Sequence, residues 1–273
     1  MREIKSEDGT VLVDLRCFPE DGRAWGLAVS WSEEAHGLPD ASEWEEALDL
    51  CLEECRDRGA AAIDSRVITA SEGVAEAVVA ARATMHRESL AARGFRQGES
   101  RLEYRIALDE AISEMGKGGP APRLAWSCVD AGSEAGLAEA AALLRSAAEG
   151  DPAYRPEDDV RGFIDALLAD KKTVPLPERL QIGSLGGAAA VVLALTAHRG
   201  DGWSSIYYLG VLPAFRGRGL GLEAMLHGLH FLKAMGGTTY HDGTGSRNAA
   251  ALALFARLGR PPFRVMEEWR LDL

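Results

Sequence analysis

The feature that most constrains this sequence is a glycine-rich turn that joins an apolar segment to an amphipathic one. Residues 204–211 have the apolar and aromatic composition of a strand. Gly217, Gly219 and Gly221 follow it closely. Glycine lets the backbone approach a ligand, and the free amides of a helix that begins at Leu220 would point at a bound anion. The pattern therefore predicts an anion-binding turn that fits a pyrophosphate.

The spacing of these glycines distinguishes the turn from two other phosphate-binding loops. A P-loop has Lys and then Ser or Thr after its last glycine, whereas Leu222 and Glu223 follow here. A dinucleotide-binding turn reads Gly-x-Gly-x-x-Gly, which a spacing of two and two does not match. Arg216 and Arg218 lie in the same turn and are predicted to add charge-assisted donors at its rim.

The turn resembles motif A of the GNAT acetyltransferases, which reads Arg/Gln-x-x-Gly-x-Gly/Ala. Arg216, Gly219 and Gly221 fit this pattern, and Val211-Leu212-Pro213 precedes them. Downstream, the segment from Asn248 to Gly259 resembles motif B of the same family in order and spacing. Apolar residues at helical spacing predict the helix that motif A opens: Leu222, Met225, Leu226, Leu229 and Leu232.

This resemblance implies an acyl-CoA-dependent N-acyltransferase. Such an enzyme would transfer acetyl from acetyl-CoA, its cosubstrate, to an amine of a small molecule or peptide by direct attack in a ternary complex. Family members splay two parallel strands so that backbone groups of one strand meet the pantetheine arm. The cofactor-binding residues implied by the resemblance are Leu209, Val211, Arg216, Gly217, Arg218, Gly219, Leu220, Gly221, Asn248 and Phe255. Asn248 is equally suited to capping a helix.

Phe255 departs from the family pattern, because many relatives have a tyrosine there that protonates the leaving thiolate. Phenylalanine has no donor, so Tyr207 and His241 are the substitute catalytic candidates, each with a packing or surface role as the alternative. A base must also deprotonate the amine, and Asp242 and the acidic residues 157–159 are candidates for it. The departure leaves a second function open, a non-catalytic acyl-CoA-binding sensor or partner protein.

The order of elements after residue 123 predicts a mixed α/β (α+β) sheet. The order of the predicted elements is close to that of the GNAT fold. The predicted strands are 123–130, 180–187, 188–198, 204–211, 238–242 and 265–271. The predicted helices are 136–149 and 157–172, the motif A helix from residue 220 and the motif B helix from residue 248.

The first half of the chain resembles a partial, degenerate GNAT-like repeat. Residues 103–108 align with residues 268–273 at a constant offset of 165, and Gly94 aligns with Gly259 at the same offset. The segment 32–43, which replaces motif A, is acidic and would repel a pyrophosphate. We therefore expect three parts: a degenerate GNAT-like domain at 1–115, a linker at 116–122 and a catalytic GNAT domain at 123–273.

The composition of the chain limits the classes of partner that it is expected to bind. The chain has 273 residues, 47% apolar content and a formal charge of −12, which disfavours nucleic-acid binding. No apolar run approaches the ~20 residues of a membrane span, and no signal peptide is evident, so a cytoplasmic protein with no membrane partner is expected. Cys51 and Cys55 share an apolar helical stripe, which favours buried thiols over a metal pair. No metal is expected, and a homodimer remains open.

Overall fold

The computed structural model describes residues 2–5, 11–19, 24–32, 37–118, 121–130, 132–151, 178–197 and 202–273, together with residues 160, 162 and 164. The chain divides into two compact units. The first comprises Met1–Leu102 and Pro262–Leu273, and the second comprises Glu103–Pro261. This division differs from the expected boundary at 116–122, because the last strand of the chain pairs with a strand of the first unit.

Strands and helices are interspersed along the described residues. The strands are β1 (Arg2–Lys5), β2 (Val11–Pro19), β3 (Ala24–Trp31), β4 (Ala62–Ser71), β5 (Arg96–Ala107), β6 (Ala125–Cys128), β7 (Leu180–Leu185), β8 (Ala188–Ala197), β9 (Trp203–Val211), β10 (Thr239–Gly245) and β11 (Arg264–Asp272). The helices are α1 (Ala41–Asp57), α2 (Glu76–Ala92), α3 (Leu108–Gly116), α4 (Glu134–Ala148), α5 (Leu220–Ala234) and α6 (Ala249–Phe255). The predicted mixed α/β fold class is thus confirmed.

The first unit is a mixed sheet in the order β1-β2-β3-β4-β11-β5, where β5 contributes its first residues. β11 pairs antiparallel with β4 along its whole length, from Arg264↔Ser71 to Asp272↔Ala62. On α1, the predicted apolar stripe is buried against this sheet; it consists of Trp44, Leu48, Cys51 and Cys55. The carboxylate of Asp40 caps α1 by accepting from the amide of Ser42 at 2.8 Å.

Side chains fill the space between α1 and α2 in the first unit. The parallel strands β3 and β4 pair over only four residues, although both strands continue beyond that point. The ring of Trp31, at the end of β3, stacks on Trp44 of α1 with centroids 5.6 Å apart. From α2, the Arg82 guanidinium lies over Trp31 and His86 meets Trp44 edge-on. Aromatic packing therefore occupies the position where two parallel strands separate.

The sheet of the second unit has the order β10-β9-β8-β7-β6. β9 contains a β-bulge, because Ala194 of β8 faces Tyr208 whereas the next residue, Leu195, faces Ile206. Tyr207 is therefore the extra residue on β9, and its side chain is 53% exposed. On α4, apolar residues pack onto the sheet: Leu137, Ala140, Ala141, Leu144 and Ala147.

Two further elements lie outside the elements predicted from the sequence. β1 is a short edge strand of the first unit, and α3 ends at Gly116, the first residue of the predicted linker. α3 forms because Leu108, Ala111 and Met115 lie on one helical face, where all three are buried. The predicted helix at 157–172 lies mostly outside the described residues, as do residues 33–36 of the acidic segment. No helix among the described residues is long and apolar enough to cross a membrane.

Candidate functional site

A cavity of about 810 Å³ lies in the second unit beside β9 and β10. Its walls are formed by residues 206–211 of β9, Tyr240 and residues 242–244 of β10, the first turn of α5 and most of α6. Ala147, Gly150 and Asp151, at the end of α4, complete the lining. The cavity therefore joins the two motifs that the sequence analysis identified separately.

Divergence of two parallel strands opens this cavity. β9 and β10 pair only at Thr239↔Trp203 and Tyr240↔Ser204, although β9 continues to Val211. Beyond these two pairs, β9 keeps its antiparallel pairing with β8 on its other edge. The edge of β9 that faces the cavity is thus available for a ligand with groups that can hydrogen-bond to a strand.

The alternation of the backbone identifies which residues of β9 face this edge. The amide of Leu212 donates to the carbonyl of Ala190 at 2.9 Å, so the backbone groups of Leu212 and, two residues earlier, Gly210 point toward β8. The backbone groups of Leu209 and Val211 therefore point away from β8 and toward the cavity. These are the two strand residues that the family resemblance implied as contacts for the pantetheine arm.

The glycine turn forms one end of the cavity. Gly217 and Gly219 adopt left-handed conformations, with φ values of 74° and 75°, which glycine adopts without steric cost. Gly219 is the N-cap of α5, so the amides that follow it lack helical partners and face this end. At Gly221, an added Cβ would meet only ordinary contacts, with Leu254 at 3.7 Å and Val211 at 3.8 Å.

The side chain of Arg216 ties the glycine turn to α4. Its Nε donates to the carbonyl of Val211 at 3.0 Å, and Nη2 donates to the carbonyls of Ala147 at 3.0 Å and Glu149 at 2.6 Å. The last carbonyls of a helix attract cations, because they lack amide partners within the helix. Arg216 lines the cavity and holds the end of β9 against the end of α4.

A second arginine supports the turn from outside the lining. The buried carboxylate of Glu223, in the first turn of α5, accepts from the amides of Arg123 at 2.5 Å and Leu124 at 2.6 Å. Its other oxygen accepts from Nε of Arg123 at 3.1 Å, and Nη2 of the same arginine donates to the carbonyl of Arg218 at 3.0 Å. Sequence reasoning missed this pair, since the two residues are far apart in the chain.

Asn248 and Phe255 mark the two ends of α6, and both line the cavity. Oδ1 of Asn248 accepts from the amide of Ala251 at 3.0 Å, so this side chain is the N-cap of α6. The ring of Phe255 stacks on Tyr104 with centroids 4.5 Å apart and planes 5° apart. The stack fixes the Phe255 ring at the cavity wall, and burial raises the pKa of Tyr104 above its ordinary value.

Two of the predicted site residues lie outside the cavity lining. The Arg218 guanidinium packs over the Phe215 ring and donates to the carbonyl of Ala214 at 3.0 Å. His241 accepts at Nδ1 from Nε1 of Trp203 at 2.5 Å, and its Nε2 lies 3.8 Å from a carboxylate oxygen of Glu103. The other predicted residues line the cavity: Tyr207, Leu209, Val211, Arg216, Gly217, Gly219, Leu220, Gly221, Asn248 and Phe255.

Tyr240 and Asp242 form a polar pair in the cavity wall. They lie two positions apart on β10, and the Tyr240 hydroxyl donates to Oδ2 of Asp242 at 3.0 Å. The amide of Gly243 donates to Oδ1 of the same carboxylate at 2.8 Å. Tyr240 is 1% exposed, and burial together with the Asp242 charge raises its pKa well above the ordinary value, which keeps the hydroxyl protonated.

Acidic residues 157–159, the other candidates for the base, lie outside the described residues. Within the part of the chain that the structure describes, no group of His, Cys, Asp and Glu side chains is arranged to hold a metal ion.

Comparison with known families gives one match. Residues 144–259 match the model of the acetyltransferase (GNAT) family, and this range contains both of the motifs that resemble that family. A comparison with curated protein sequences gives no match.

Solved structures share the fold over nearly the whole chain. A GCN5-related N-acetyltransferase from Sphaerobacter thermophilus is 16% identical with a TM-score of 0.64, and the match covers 98% of this chain and 79% of that one. A tandem GNAT protein from the clavulanic acid biosynthesis pathway is 16% identical with a TM-score of 0.59, covering 98% and 81%. A GCN5-related N-acetyltransferase from Kribbella flavida is 17% identical with a TM-score of 0.57, covering 96% and 88%. The resemblance of the first half to a degenerate GNAT repeat fits these folds.

Proposed function

We propose that the second unit is an acetyl-CoA-dependent N-acetyltransferase that acts on an amine of a small molecule or peptide. The observation that carries this proposal is the divergence of β9 from β10 directly before the glycine turn. A long ligand with amide groups at one end and a pyrophosphate at the other matches both features. The cavity of about 810 Å³ is large enough for such a ligand to enter.

The residues of the glycine turn fit the pyrophosphate of acetyl-CoA. Gly217 and Gly219 both adopt the left-handed backbone conformation and line the cavity, and an added Cβ at Gly217 would meet no atom within 4 Å. The amides after Gly219 and the partial positive charge of the α5 N-terminus favour an anion at this position. Arg216 adds a formal positive charge in the same wall.

Bound acetyl-CoA would supply an acetyl group that is activated as a thioester. The backbone groups of Leu209 and the amide of Val211 face the cavity edge of β9, where they would pair with the pantetheine arm, whereas the carbonyl of Val211 accepts from Arg216. An amide on this edge would also polarise the thioester carbonyl as negative charge develops on its oxygen. The rate gain would come largely from holding the acceptor amine in line with that carbonyl.

The first unit has a structural role in this proposal. Trp31, Trp44 and His86 pack beside its diverging strands, and the sequence of its acidic segment 32–43 lacks the glycine spacing of motif A. These rings occupy the space where the two parallel strands of this unit separate. We therefore assign acetyl-CoA binding to the second unit alone, and we expect a cytoplasmic protein.

The experiment is calorimetric titration of acetyl-CoA into the purified protein, followed on the same sample by thiol release against a panel of amines. Binding together with thiol release on at least one amine is the expected result. Binding without release on any amine would favour the alternative function, a non-catalytic acyl-CoA sensor or partner protein, for which the donor-free Phe255 is the supporting observation. Failure to bind acetyl-CoA would overturn both functions.

A further inference from the structure

We infer that Cys17 and Cys55 form a disulfide when the protein meets a hydroperoxide, which gives the first unit a redox-responsive modification site. This site belongs to the first unit, whereas the cavity belongs to the second, so the inference does not depend on the proposed function. The disulfide ties strand β2 to the last turn of helix α1.

Cys17 lies directly against α1. Its Sγ donates to the main-chain carbonyl of Cys51 at 3.0 Å. In a helix, each carbonyl points toward the C-terminus, whereas each side chain leans back over the preceding turn. The sulfur of Cys17 therefore lies where the side chain of Cys55, four residues further along α1, covers the helix surface. The thiols of Cys17 and Cys55 are hydrogen-bond partners, so the two sulfur atoms already lie side by side.

The three thiols differ in their exposure to solvent. Cys17 is partly exposed, whereas Cys51 is 1% exposed and Cys55 is 0% exposed. All three pack into the same apolar core of the first unit. A hydroperoxide in solution therefore reaches Cys17 first, and the sulfur of Cys55 lies behind it.

Hydrogen bonding distinguishes the two cysteines of α1. The neighbouring Cys17 thiol lowers the pKa of Cys55 below its ordinary value, although burial opposes this effect. The same neighbour raises the pKa of Cys51, and burial adds to that effect. The thiolate is the nucleophile in disulfide formation, so Cys55 is the more reactive of the two toward an oxidised Cys17.

The first step at Cys17 is slower than the second at Cys55. Hydrogen bonding with Cys51 lowers the pKa of Cys17, but hydrogen bonding with Cys55 and burial outweigh it and raise that pKa above its ordinary value. Little Cys17 thiolate is therefore present at neutral pH. We expect the oxidised form of Cys17 to be consumed by Cys55 as soon as it forms.

The reaction is balanced with hydrogen peroxide as the oxidant. The Cys17 sulfur attacks one peroxide oxygen, the O–O bond breaks, and the leaving hydroxide takes the thiol proton as water. This step leaves a sulfenic acid on Cys17. The Cys55 sulfur then attacks the Cys17 sulfur, so the S–S bond forms and the S–O bond breaks. The second hydroxide leaves with the proton of Cys55 as water, and a dithiol reductant reverses the disulfide.

The test is peptide mapping by mass spectrometry after the full chain is treated with an excess of hydrogen peroxide. Cys128 is the remaining cysteine and is exposed, so every sample carries Cys128→Ser to remove the thiol most able to join two molecules. The expected product is a single crosslink, between Cys17 and Cys55, that a dithiol reductant removes. A main crosslink from Cys17 to Cys51, or no crosslink, would overturn the inference.

Serine variants separate the roles of the three thiols. Cys51→Ser should form the crosslink to the same extent as its parent. In Cys55→Ser, the sulfenic acid on Cys17 lacks its resolving thiol, so labelling of Cys17 by a 1,3-diketone that traps sulfenic acids should rise about tenfold. Cys17→Ser should form no crosslink. Equal labelling of Cys17 in the Cys51→Ser and Cys55→Ser chains would contradict the assignment of Cys55.

Oxidation of the unfolded chain checks that the folded geometry selects the pair. In concentrated urea, Cys17 has no fixed neighbour, so crosslinks to Cys51 and to Cys55 should form in comparable amounts. The native protein should instead favour Cys55 over Cys51 by about tenfold or more, because the Cys17 thiol is already placed beside it. The same ratio of crosslinks in the native and unfolded protein would show that the fold does not build this site.

Discussion

Nη2 of Arg216 donates a hydrogen bond to the carbonyl of Ala147 at 3.0 Å, which connects the start of the glycine turn to the last turn of α4. The same guanidinium reaches the carbonyls of Val211 and Glu149. One planar fork therefore binds three backbone carbonyls, one at the end of β9 and two at the end of α4. Lysine cannot replace it, because an ammonium group is a point charge without the fixed fork of donors.

We predict that Arg216→Lys weakens acetyl-CoA binding about tenfold and lowers the free energy of unfolding by about 1 kcal/mol, since charge-assisted hydrogen bonds to exposed backbone carbonyls are lost. Calorimetry and urea denaturation measure the two quantities. Arg218→Lys is the control, because Arg218 lies in the same turn but outside the lining. Equal effects of the two variants would show that the carbonyl contacts of Arg216 make no specific contribution to acetyl-CoA binding.

Gly221 offers a test of the anion-binding end without backbone strain. It lies in the first turn of α5 and outside the left-handed region, and a Cβ there meets only ordinary contacts. Gly221→Asp should weaken acetyl-CoA binding at least tenfold, because it places a negative charge beside the expected pyrophosphate. Gly221→Ala should bind within about threefold of wild type and should be no less stable, since alanine favours helix. If both variants bind acetyl-CoA normally, the pyrophosphate does not lie at this turn.

Much of the second unit could be predicted because its signals are local. The strand, the turn and the helix from residue 204 to residue 234 occupy one continuous segment, and their period and glycine spacing are visible in it. Asn248 is a further case, because helix capping depends on residues one turn apart. Local signals of this kind are sufficient to predict that the glycine turn and α6 belong to the same domain.

Interactions between distant segments could not be predicted in the same way. β11 has the alternation of a strand, but alternation fixes which side chains share a face and does not choose the partner strand, which is β4. The stack of Tyr104 on Phe255 and the pair of Arg123 with Glu223 depend on such long-range placement. His241 is a further example. It lies on β10, which borders the cavity, but its position in the sequence does not indicate that Trp203 and Glu103 contact it on the other face of the strand.

Restoring the motif B tyrosine tests whether the leaving thiolate needs an acid. Phe255→Tyr keeps the ring that stacks on Tyr104 and adds a hydroxyl at the cavity wall. A free thiol has a pKa near ~8.5, so a CoA thiolate leaves with modest help. We predict that kcat changes by less than about threefold and that acetyl-CoA affinity is unchanged by calorimetry. A rise in kcat of about 100-fold would show that proton delivery to the thiolate limits the native enzyme.

The buried His86 makes the stability of the first unit depend on pH. Burial lowers the pKa of His86 to about 3, whereas an unfolded histidine titrates near ~6.5. Between these two pKa values, the unfolded chain therefore binds more protons than the folded chain. The contribution of His86 to the free energy of unfolding is complete above pH ~6.5, and it is lost as the pH falls toward the folded pKa. The expected slope from this residue is about 1.4 kcal/mol per pH unit.

Urea denaturation at pH 7 and pH 5, followed by the fluorescence of the buried Trp44, measures this slope. In His86→Gln, the difference in stability between the two pH values should shrink by about 2 kcal/mol, because the position no longer titrates. The absolute stability of this variant is also expected to fall, since it loses the edge-on contact with Trp44, so only the pH difference is compared. His230→Gln, at an exposed position of α5, is the control. A pH difference that is the same in wild type and His86→Gln would show that His86 binds protons equally in the folded and unfolded chain.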